Sequence, residues 1–224
     1  MKRILVTLFA TLFATATYAQ NYSIGVSGMA LYYDASGTET VKSSGETNDK
    51  SDTGLAPIPS LFIETELDSG ATIGLDIIPY SAKVGDASNS RTDCDTDDGS
   101  DTACTNKVDV NFKNHITLYV EGPIPSAIDG MYFKFGVSNV TLETDENLDT
   151  GSTYGDADIM GVSVGLGRKA ALPSGDGFYK IEASISRYEG HEFTGSKDTD
   201  SVNNTVKLDD FNTAGIRFSV GKTF

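Results

Sequence analysis

Two histidines, His115 and His191, are the side chains of this sequence that could act as general bases at neutral pH. A hydrolytic site needs such a histidine next to a nucleophile and a third group that orients it. His115 lies within a segment of alternating polarity, and His191 lies close to Glu189 and Glu192 with no nucleophile fixed near it. The sequence therefore predicts a protein that is not an enzyme, with no catalytic residue and no cofactor.

Cys94 and Cys104 are the only cysteines of the chain, and both lie in one polar segment. In an exported protein such a pair usually closes a local disulfide. A metal site would need more thiol or imidazole ligands nearby, and a redox-active pair is more often spaced Cys-x-x-Cys. We predict a disulfide that contributes about 3 kcal/mol to stability through the entropy of the closed loop.

Aspartates are dense around Cys94, and their carboxylates are ligands that Ca²⁺ accepts. The cluster consists of Asp93, Asp95, Asp97, Asp98 and Asp101. Its spacing departs from the EF-hand loop, because Asp98 occupies the position of the required glycine and Cys104 that of the bidentate glutamate. Two interpretations stay open, a solvated acidic loop and a weak calcium site, and the sequence predicts no other metal site.

The first 19 residues have the pattern of an export signal. Lys2 and Arg3 precede an apolar run over residues 4–14, and Thr17-Tyr18-Ala19 offers small residues for cleavage. That run is too short to span ~30 Å of hydrocarbon as a helix. We expect a signal peptide over residues 1–19 and one domain over residues 20–224. Removing Lys2 and Arg3 leaves 15 of the 17 basic side chains against 32 acidic ones, a net charge of −17 that argues against a nucleic-acid partner.

Eight segments of the remaining chain alternate apolar with polar or small residues, which is the pattern of half-buried β-strands. They span about residues 22–33, 58–67, 71–80, 108–121, 131–138, 160–167, 179–186 and 214–224. The connections alternate long and short, and the long ones are the polar stretches 34–54, 85–107, 144–157 and 189–207. An antiparallel meander places the long connections at one end and both termini at the other, as in outer-membrane barrels. The sequence predicts an all-β fold, an eight-stranded antiparallel up-and-down transmembrane β-barrel, and leaves ten strands open if a long connection hides another hairpin.

The alternative fold is a soluble barrel with its apolar residues inside. The distribution of charge favours the membrane, because ionisable residues share one face of the segments with glycine and serine, and the opposite face is nearly uncharged. A charge facing lipid costs about 2–4 kcal/mol at the bilayer midplane. We therefore expect the charged face to line the interior and to pair across it as a lumen charge network. Its predicted members are Glu64, Asp76, Lys113, Lys134, Glu182 and Arg217.

The last nine residues alternate apolar positions and end in phenylalanine, with Phe218, Val220 and Phe224 on the apolar face. This stretch resembles the C-terminal strand of bacterial outer-membrane proteins. Together with the export signal and the hairpin rhythm, the resemblance covers the whole chain, and it is greatest to small barrels of the OmpA transmembrane-domain, OmpW and opacity types. It implies that these three residues are an assembly signal read by the barrel-assembly machinery.

An eight-stranded barrel has an interior just wide enough for side chains, so we expect a plugged lumen and a structural or surface-interaction protein. A porin-like passive channel for small solutes is the alternative. The long polar stretches hold 19 of the 32 acidic residues, and we expect them to be mobile acidic loops outside a Gram-negative cell, with the termini in the periplasm. The expected partners are outer-membrane lipid and lipopolysaccharide, and the expected state is a monomer.

Overall fold

Ten β-strands are present in a computed structural model of the protein that describes residues 21–41, 45–95, 101–126, 128–147, 153–173, 175–195 and 205–224. The strands are β1 Tyr22–Val41, β2 Glu46–Glu66, β3 Thr72–Ile78, β4 Ala82–Asp95, β5 Asp101–Pro123, β6 Met131–Asn147, β7 Ala157–Ala171, β8 Gly177–Tyr188, β9 His191–Thr194 and β10 Thr205–Thr223. No helix among these residues is long and apolar enough to cross a membrane.

The strands form one antiparallel sheet that closes on itself, because β1 pairs with β10 as well as with β2. β3 and β4 both pair with β5, and β8 and β9 both pair with β10. β3 and β4 are therefore two parts of one interrupted strand, and so are β8 and β9. The described sheet thus has eight strand positions around its circumference. The predicted all-β antiparallel barrel is confirmed.

The end of the barrel near Tyr22 and Phe224, which we call the lower barrel, is polar inside and apolar outside. On β1, Ser23 and Ser27 are buried inside, whereas Val26 is 57% exposed outside. Apolar side chains on the other strands continue this outer surface, which we call the apolar belt. Its members include Ile24, Leu61, Val120, Phe133, Phe135, Val162, Val164, Leu166, Ile181, Ile185, Ile216 and Phe218.

The other end, which we call the upper barrel, has the opposite polarity. On β1 the change occurs above Ala30, where Leu31 and Tyr33 are buried and Asp34 faces outward. The interior here is a continuous apolar core. It comprises Leu31, Tyr33, Ala56, Ile58, Ile78, Ala82, Val84, Phe112, Val140, Leu142, Ala157, Ile159, Tyr188, Phe193 and Phe211. The polar face therefore does not line the interior along the whole height of the barrel.

The strands are much longer than the sequence pattern predicts. β1 has 20 residues and β5 has 23, whereas crossing a bilayer requires about 9–11. The prediction of four mobile loops is wrong over much of their length, since residues 34–41, 46–54 and 85–95 belong to strands. Asp34 lies opposite Thr53 and Thr40 opposite Thr47 in a regular antiparallel register. Most of the predicted loops 34–54 and 85–107 is thus hairpin that extends the barrel wall, whereas strands take up a smaller part of 144–157 and 189–207.

A bulge in β5 reverses the alternation predicted for residues 108–121. Asn114 has a φ of 54°, and the pairing with β6 shifts between Lys113 and Ile116. As a result Phe112, predicted to face outward, is buried inside, and Lys113 is outside with 44% of its side chain exposed. The prediction that Lys113 belongs to the lumen is wrong, because one extra residue in a strand exchanges the two faces beyond it.

The wall between β2 and β4 has no backbone ladder among the described residues. β2 pairs with β3 only from Glu66 to Leu61, and above Leu61 it lies beside β4 without pairing to it. Pro57 and Pro59 lie in this stretch, and a proline has no N–H to donate. In the described part of the chain, the upper barrel therefore has no strand pairing on this side.

Candidate functional site

Eight ionisable side chains from seven strands point into the lower barrel and form what we call the lumen cluster. Its members are Glu64, Asp76, Glu121, Lys134, Lys169, Lys180, Glu182 and Arg217. Each stands at an inward position of an alternating strand, which is how a two-residue period brings residues distant in sequence together. Four are carboxylates and four are cations, so their formal charges balance, as buried charges require.

Lys180 is at the centre of the lumen cluster. Its ammonium donates to Glu64 at 2.5 Å and to both carboxylate oxygens of Glu121 at 2.8 and 2.9 Å, and the residue is 4% exposed. Four aromatic rings surround the ammonium at 5.5 to 5.9 Å from their centroids, a distance at which cation–π attraction acts. They belong to Phe62, Tyr119, Tyr132 and Phe178. Separating these groups would leave a buried charge without its partners.

A second ion pair joins Lys134 to Glu182, with N–O distances of 3.1 and 3.3 Å. Tyr132 donates its hydroxyl to Glu182 at 3.2 Å, and Tyr119 donates to Glu64 at 2.9 Å. The ammonium of Lys134 lies 4.0 Å from the centroid of the Tyr119 ring. The two tyrosines therefore connect this ion pair with the central one into a single network.

A third ion pair lies higher in the lumen. Arg217 donates to Asp76 and to the hydroxyls of Ser27 and Ser60, the latter two at 3.2 Å, and Ser60 donates to Asp76 at 2.8 Å. Three buried atoms here, Asp76 Oδ1, Arg217 Nε and His115 Nδ1, have no hydrogen-bond partner among the described residues. All three residues line a cavity of about 40 Å³, which has room for ordered water.

Each of the four rings around Lys180 lies against a glycine of the neighbouring strand. The register pairs are Phe62 with Gly25, Tyr119 with Gly74, Tyr132 with Gly167 and Phe178 with Gly221. A Cβ atom on any of these glycines would overlap the ring beside it. The inward glycines therefore provide the space in which the rings lie along the wall. Covering a glycine with an aromatic ring is a known way to stabilise it in a strand.

Above the lumen cluster, four rings that we call the aromatic floor cross the interior: Phe112, His115, Tyr188 and Phe211. The centroid of Phe112 is 5.5 Å from each of the other three, and those of Tyr188 and Phe211 are 5.3 Å apart. His115 Nε2 shares a hydrogen bond of 3.1 Å with the Tyr188 hydroxyl. His115 thus has a buried structural partner, and the floor separates the charged lumen from the upper core.

Above the floor the interior contains an apolar cavity of about 230 Å³, which we call the upper chamber. Its lining includes Tyr33, Val84, Val110, Leu142, Phe193 and Leu208. Asp52 and Lys207 are the charged residues of the lining. Asp52 accepts a hydrogen bond from Tyr33 at 3.3 Å, and Lys207 pairs with Asp209 at 2.5 Å. Lys207 is therefore paired with a carboxylate, whereas Asp52 has a neutral hydrogen-bond donor beside it and keeps its negative charge.

Lys113 takes part in a polar latch on the outside of the upper barrel. Its ammonium donates to Glu143 at 2.5 Å, and Ser81 donates to the other oxygen of that carboxylate at 2.9 Å. These hydrogen bonds lower the pKa of the Glu143 carboxyl, and the bond to Glu143 raises the pKa of Lys113. Since Ser81 lies in the interruption between β3 and β4, the latch ties this break to β5 and β6.

Five of the six residues predicted for the lumen network lie in the lumen cluster, and Lys113 is the exception. Sequence reasoning left Glu121, Lys169 and Lys180 out of the network. Glu121 and Lys180 stand at inward positions of predicted strands, so the alternation contained a signal for them. Lys169 lies two residues beyond the predicted end of its strand, and only the longer β7 brings it to Glu64, at 3.3 Å.

The remaining predicted sites differ in how far the structure describes them. Phe224 stacks on Tyr22 with centroids 5.4 Å apart, and Phe218 and Val220 are outward and partly exposed; their recognition by an assembly machinery stays a prediction. The side chains of Cys94, Cys104 and the aspartate cluster lie outside the described residues, as does the whole of residues 1–19. The described residues contain no group of three or more metal-ligating side chains.

The run Gly161-Val162-Ser163-Val164-Gly165 has the spacing of a nucleophile elbow. An elbow is a sharp turn between a strand and a helix, whereas this run lies inside β7, with Ser163 directly opposite Gly136 and Ser186. His191 is exposed and packs edge-on against Phe193. The run in β7 therefore does not have the backbone geometry of a nucleophile elbow.

No protein-family model and no curated protein sequence matches the chain. Among solved structures it is similar to the outer membrane protein OprG of Pseudomonas aeruginosa, with a TM-score of 0.51 and 13% identity over 92% of this chain and 96% of that one. Weaker matches are the outer membrane protease OmpT of Escherichia coli, with a TM-score of 0.47, 10% identity and coverage of 92% and 97%, and Ail of Yersinia pestis, with 0.37, 14%, 89% and 99%. At these identities the likeness concerns the fold alone, and it rests on the first of the three. The chain has the fold of the small outer-membrane β-barrel proteins, as its sequence resemblance predicts.

Proposed function

We propose that this chain is an integral outer-membrane barrel with a structural and surface-interaction role, whose lumen is plugged by side chains and does not conduct ions. The observation that supports the plug best is Lys180, buried between Glu64 and Glu121 inside a box of aromatic rings. A file of water or ions would have to separate these charges, and removing one partner of a buried pair costs several kcal/mol. The aromatic floor is a second barrier above them.

The apolar belt supports insertion into lipid. Val26, Val164 and Ile185 are 57, 51 and 60% exposed, and a continuous surface of this kind in water would promote association. Exposed aromatic residues mark its two edges on β1, at Tyr22 and Tyr32, where interfacial girdles are expected. These positions are 11 residues apart counted inclusively, which matches the ~9–11 residues of a spanning strand. Membrane lipid is therefore the first partner.

The charge of the upper exterior supports an orientation with the long hairpins outside the cell. Long extracellular and short periplasmic connections are usual for barrels of this fold. In that orientation Tyr22 and Phe224 lie at the periplasmic rim, and the acidic hairpins face the lipopolysaccharide layer and the medium. A surface-interaction role follows from this display, and the barrel needs no second copy to close its sheet.

Reconstitution into planar lipid bilayers tests the plug. The wild-type barrel should be electrically silent, whereas the double variant Lys180→Ala/Phe112→Ala, which weakens both barriers, should show frequent openings. Lys222→Ala is the matched control, since Lys222 is exposed at the lower rim and should leave the barrel silent. Heat-modifiable mobility in SDS gels reports whether each variant is folded. Stable single-channel steps of the wild type would contradict the plug and favour a passive channel for small solutes.

A further inference from the structure

His115 lies at the boundary between the two barriers of the interior. It is one of the four rings of the aromatic floor, and it also lines the cavity of about 40 Å³ next to the ion pair of Arg217 and Asp76. The bulge at Asn114 puts it there, since the extra residue turns both Phe112 and His115 inward, with ring centroids 5.5 Å apart. A change of charge on this imidazole would therefore act on the floor and on the lumen cluster together.

One nitrogen of the His115 ring is bonded and the other is not. Nε2 shares a hydrogen bond with the Tyr188 hydroxyl, whereas Nδ1 is buried and has no partner among the described residues. His115 faces Ile78 across the ladder of β3 and β5, and Asp76 stands two residues away on the same face of β3. Side chains at such diagonal positions are within reach of each other. Asp76 Oδ1 is also unpartnered in the described part of the chain, so a proton on Nδ1 has an acceptor nearby, directly or through one water.

The charges that face His115 cancel while its ring is neutral. The titratable groups around its cavity are one tyrosine, two carboxylates and two cations: Tyr188 and Glu182 of β8, Asp76 of β3, Lys134 of β6 and Arg217 of β10. The residues that β1, β2 and β7 contribute to the lining are uncharged. An imidazolium ring would add a positive charge without a counter-charge to this closed set, and such a charge is costly in a buried site.

We propose that His115 is a proton-binding site that makes the plug sensitive to pH. While the ring is neutral, the lumen is balanced and closed. In acid both ring nitrogens become donors, so the ring needs a second acceptor, and Asp76 Oδ1 is the one within reach. The imidazolium then competes with Arg217 for this carboxylate and repels it. The upper ion pair and the floor loosen together, and the barrel conducts. This inference rests on the plug proposed above.

The size of the effect follows from the linkage between proton binding and opening. A ligand shifts an equilibrium only by its differential affinity for the two states, and here the ligand is the proton. An open state that holds one more proton than the closed state becomes more populated by about tenfold for each pH unit of acidification, over the range in which the two states differ. The expected dependence is therefore steep and has one sign, with opening favoured in acid.

The test is the open probability of the barrel in planar lipid bilayers between about pH 7 and about pH 4, a range that covers histidines in perturbed sites. The wild type should be silent at neutral pH and open increasingly in acid. His115→Gln cannot take up the charge and should stay silent throughout. The matched control is His191→Gln, because the chain has two histidines and His191 is exposed; it should open like the wild type. Carboxylates titrate in all three barrels, so the difference isolates His115.

NMR of isotope-labelled histidine in lipid nanodiscs provides a second measurement that needs no substitution. It reports the charge of each imidazole ring, and we expect the His115 ring to become charged over the pH range in which the barrel opens. A wild type as silent in acid as at neutral pH would overturn the inference and leave the plug standing. A His115→Gln barrel that opens like the wild type, or a His115 ring that stays neutral while the barrel opens, would also overturn it. Conductance of the wild type at neutral pH would overturn the plug and this inference with it.

Discussion

The lower and upper barrel share the same strands but have opposite polarity. In the lower barrel Val26 faces outward and Lys180 is buried, whereas in the upper barrel Asp34 faces outward and Ile159 is buried with no exposed surface. In the outer-membrane barrel that we propose, the physical reason is what surrounds the wall at each height. Acyl chains favour an apolar exterior and leave polar groups to pair inside, and water favours the reverse. The polarity of a strand face therefore reports its surroundings, and only indirectly whether it points inward.

The two regions are also held together by different forces. The interior of the lower barrel consists of ion pairs and tyrosine hydrogen bonds, which are sensitive to the loss of one charge. The interior of the upper barrel is apolar, and it is sensitive to the loss of volume. Substitutions chosen in matched pairs, one from each region, can separate these two forces.

The largest effect should come from Lys180→Met. It leaves the Glu121 carboxylate buried without its ion-pair partner and leaves Glu64 with Lys169 alone, which should lower the free energy of unfolding by about 3–5 kcal/mol. Urea titration of the barrel in lipid vesicles measures this loss. The triple variant that adds Glu64→Gln and Glu121→Gln should recover most of it, because all three charges are then absent. A triple variant no more stable than the single one would show that the charges are not the source of the loss.

A charge placed on each exterior tests the surroundings directly. Val164→Lys on the apolar belt should cost about 2–4 kcal/mol, because it puts an ammonium against acyl chains. Thr53→Lys, on the exposed outer face of the upper barrel, should stay within about 0.5 kcal/mol of the wild type. Both are measured by the same urea titration. Equal losses of stability at Val164 and Thr53 would show that the exteriors of the lower and upper barrel do not differ in their surroundings.

Removing one methyl group from the upper core and one from the apolar belt should change stability less than the preceding substitutions. Ile159→Val leaves a space in the closed upper core and should cost about 0.5–1.5 kcal/mol. Ile185→Val, at a position 60% exposed on the belt, should cost much less, because lipid fills the space. The difference between the two urea midpoints is the quantity to compare, and a larger loss at Ile185 would contradict the assignment of the belt.

The smallest effect concerns pH and the latch of Lys113, Glu143 and Ser81. Since hydrogen bonds lower the pKa of Glu143 in the folded barrel, the unfolded chain binds this proton more readily. The stabilisation of the folded barrel by the latch is therefore complete above pH 4.5, the ordinary pKa of a glutamate. It is lost as pH falls through the lowered pKa of Glu143. The stability difference between wild type and Glu143→Gln should be small at neutral pH and vanish in acid. A difference that grows on acidification has the wrong sign for this mechanism.

Sequence reasoning succeeded where the alternation is regular. The inward direction of Glu64 and Arg217 follows from a two-residue period with no irregularity between them and the turns of their hairpins. It failed at Lys113, because the residue types do not indicate the extra residue at Asn114 that reverses the two faces of β5. It also read residues 34–41 as a loop, since that stretch lacks the apolar period, although its backbone pairs with both β2 and β10.

The amino-acid sequence by itself determined that this chain forms strands, in what order they follow one another, and which of their faces points outward in the lower barrel, because a period of two is a local property of the backbone. Only the tertiary structure decided which charges meet, since Lys180 and Glu64 are 116 positions apart and come together only when the sheet closes. The same closure decided the length of the upper barrel, its aromatic floor and its chamber. Those depend on the register of several strands at once, and no single segment contains that information.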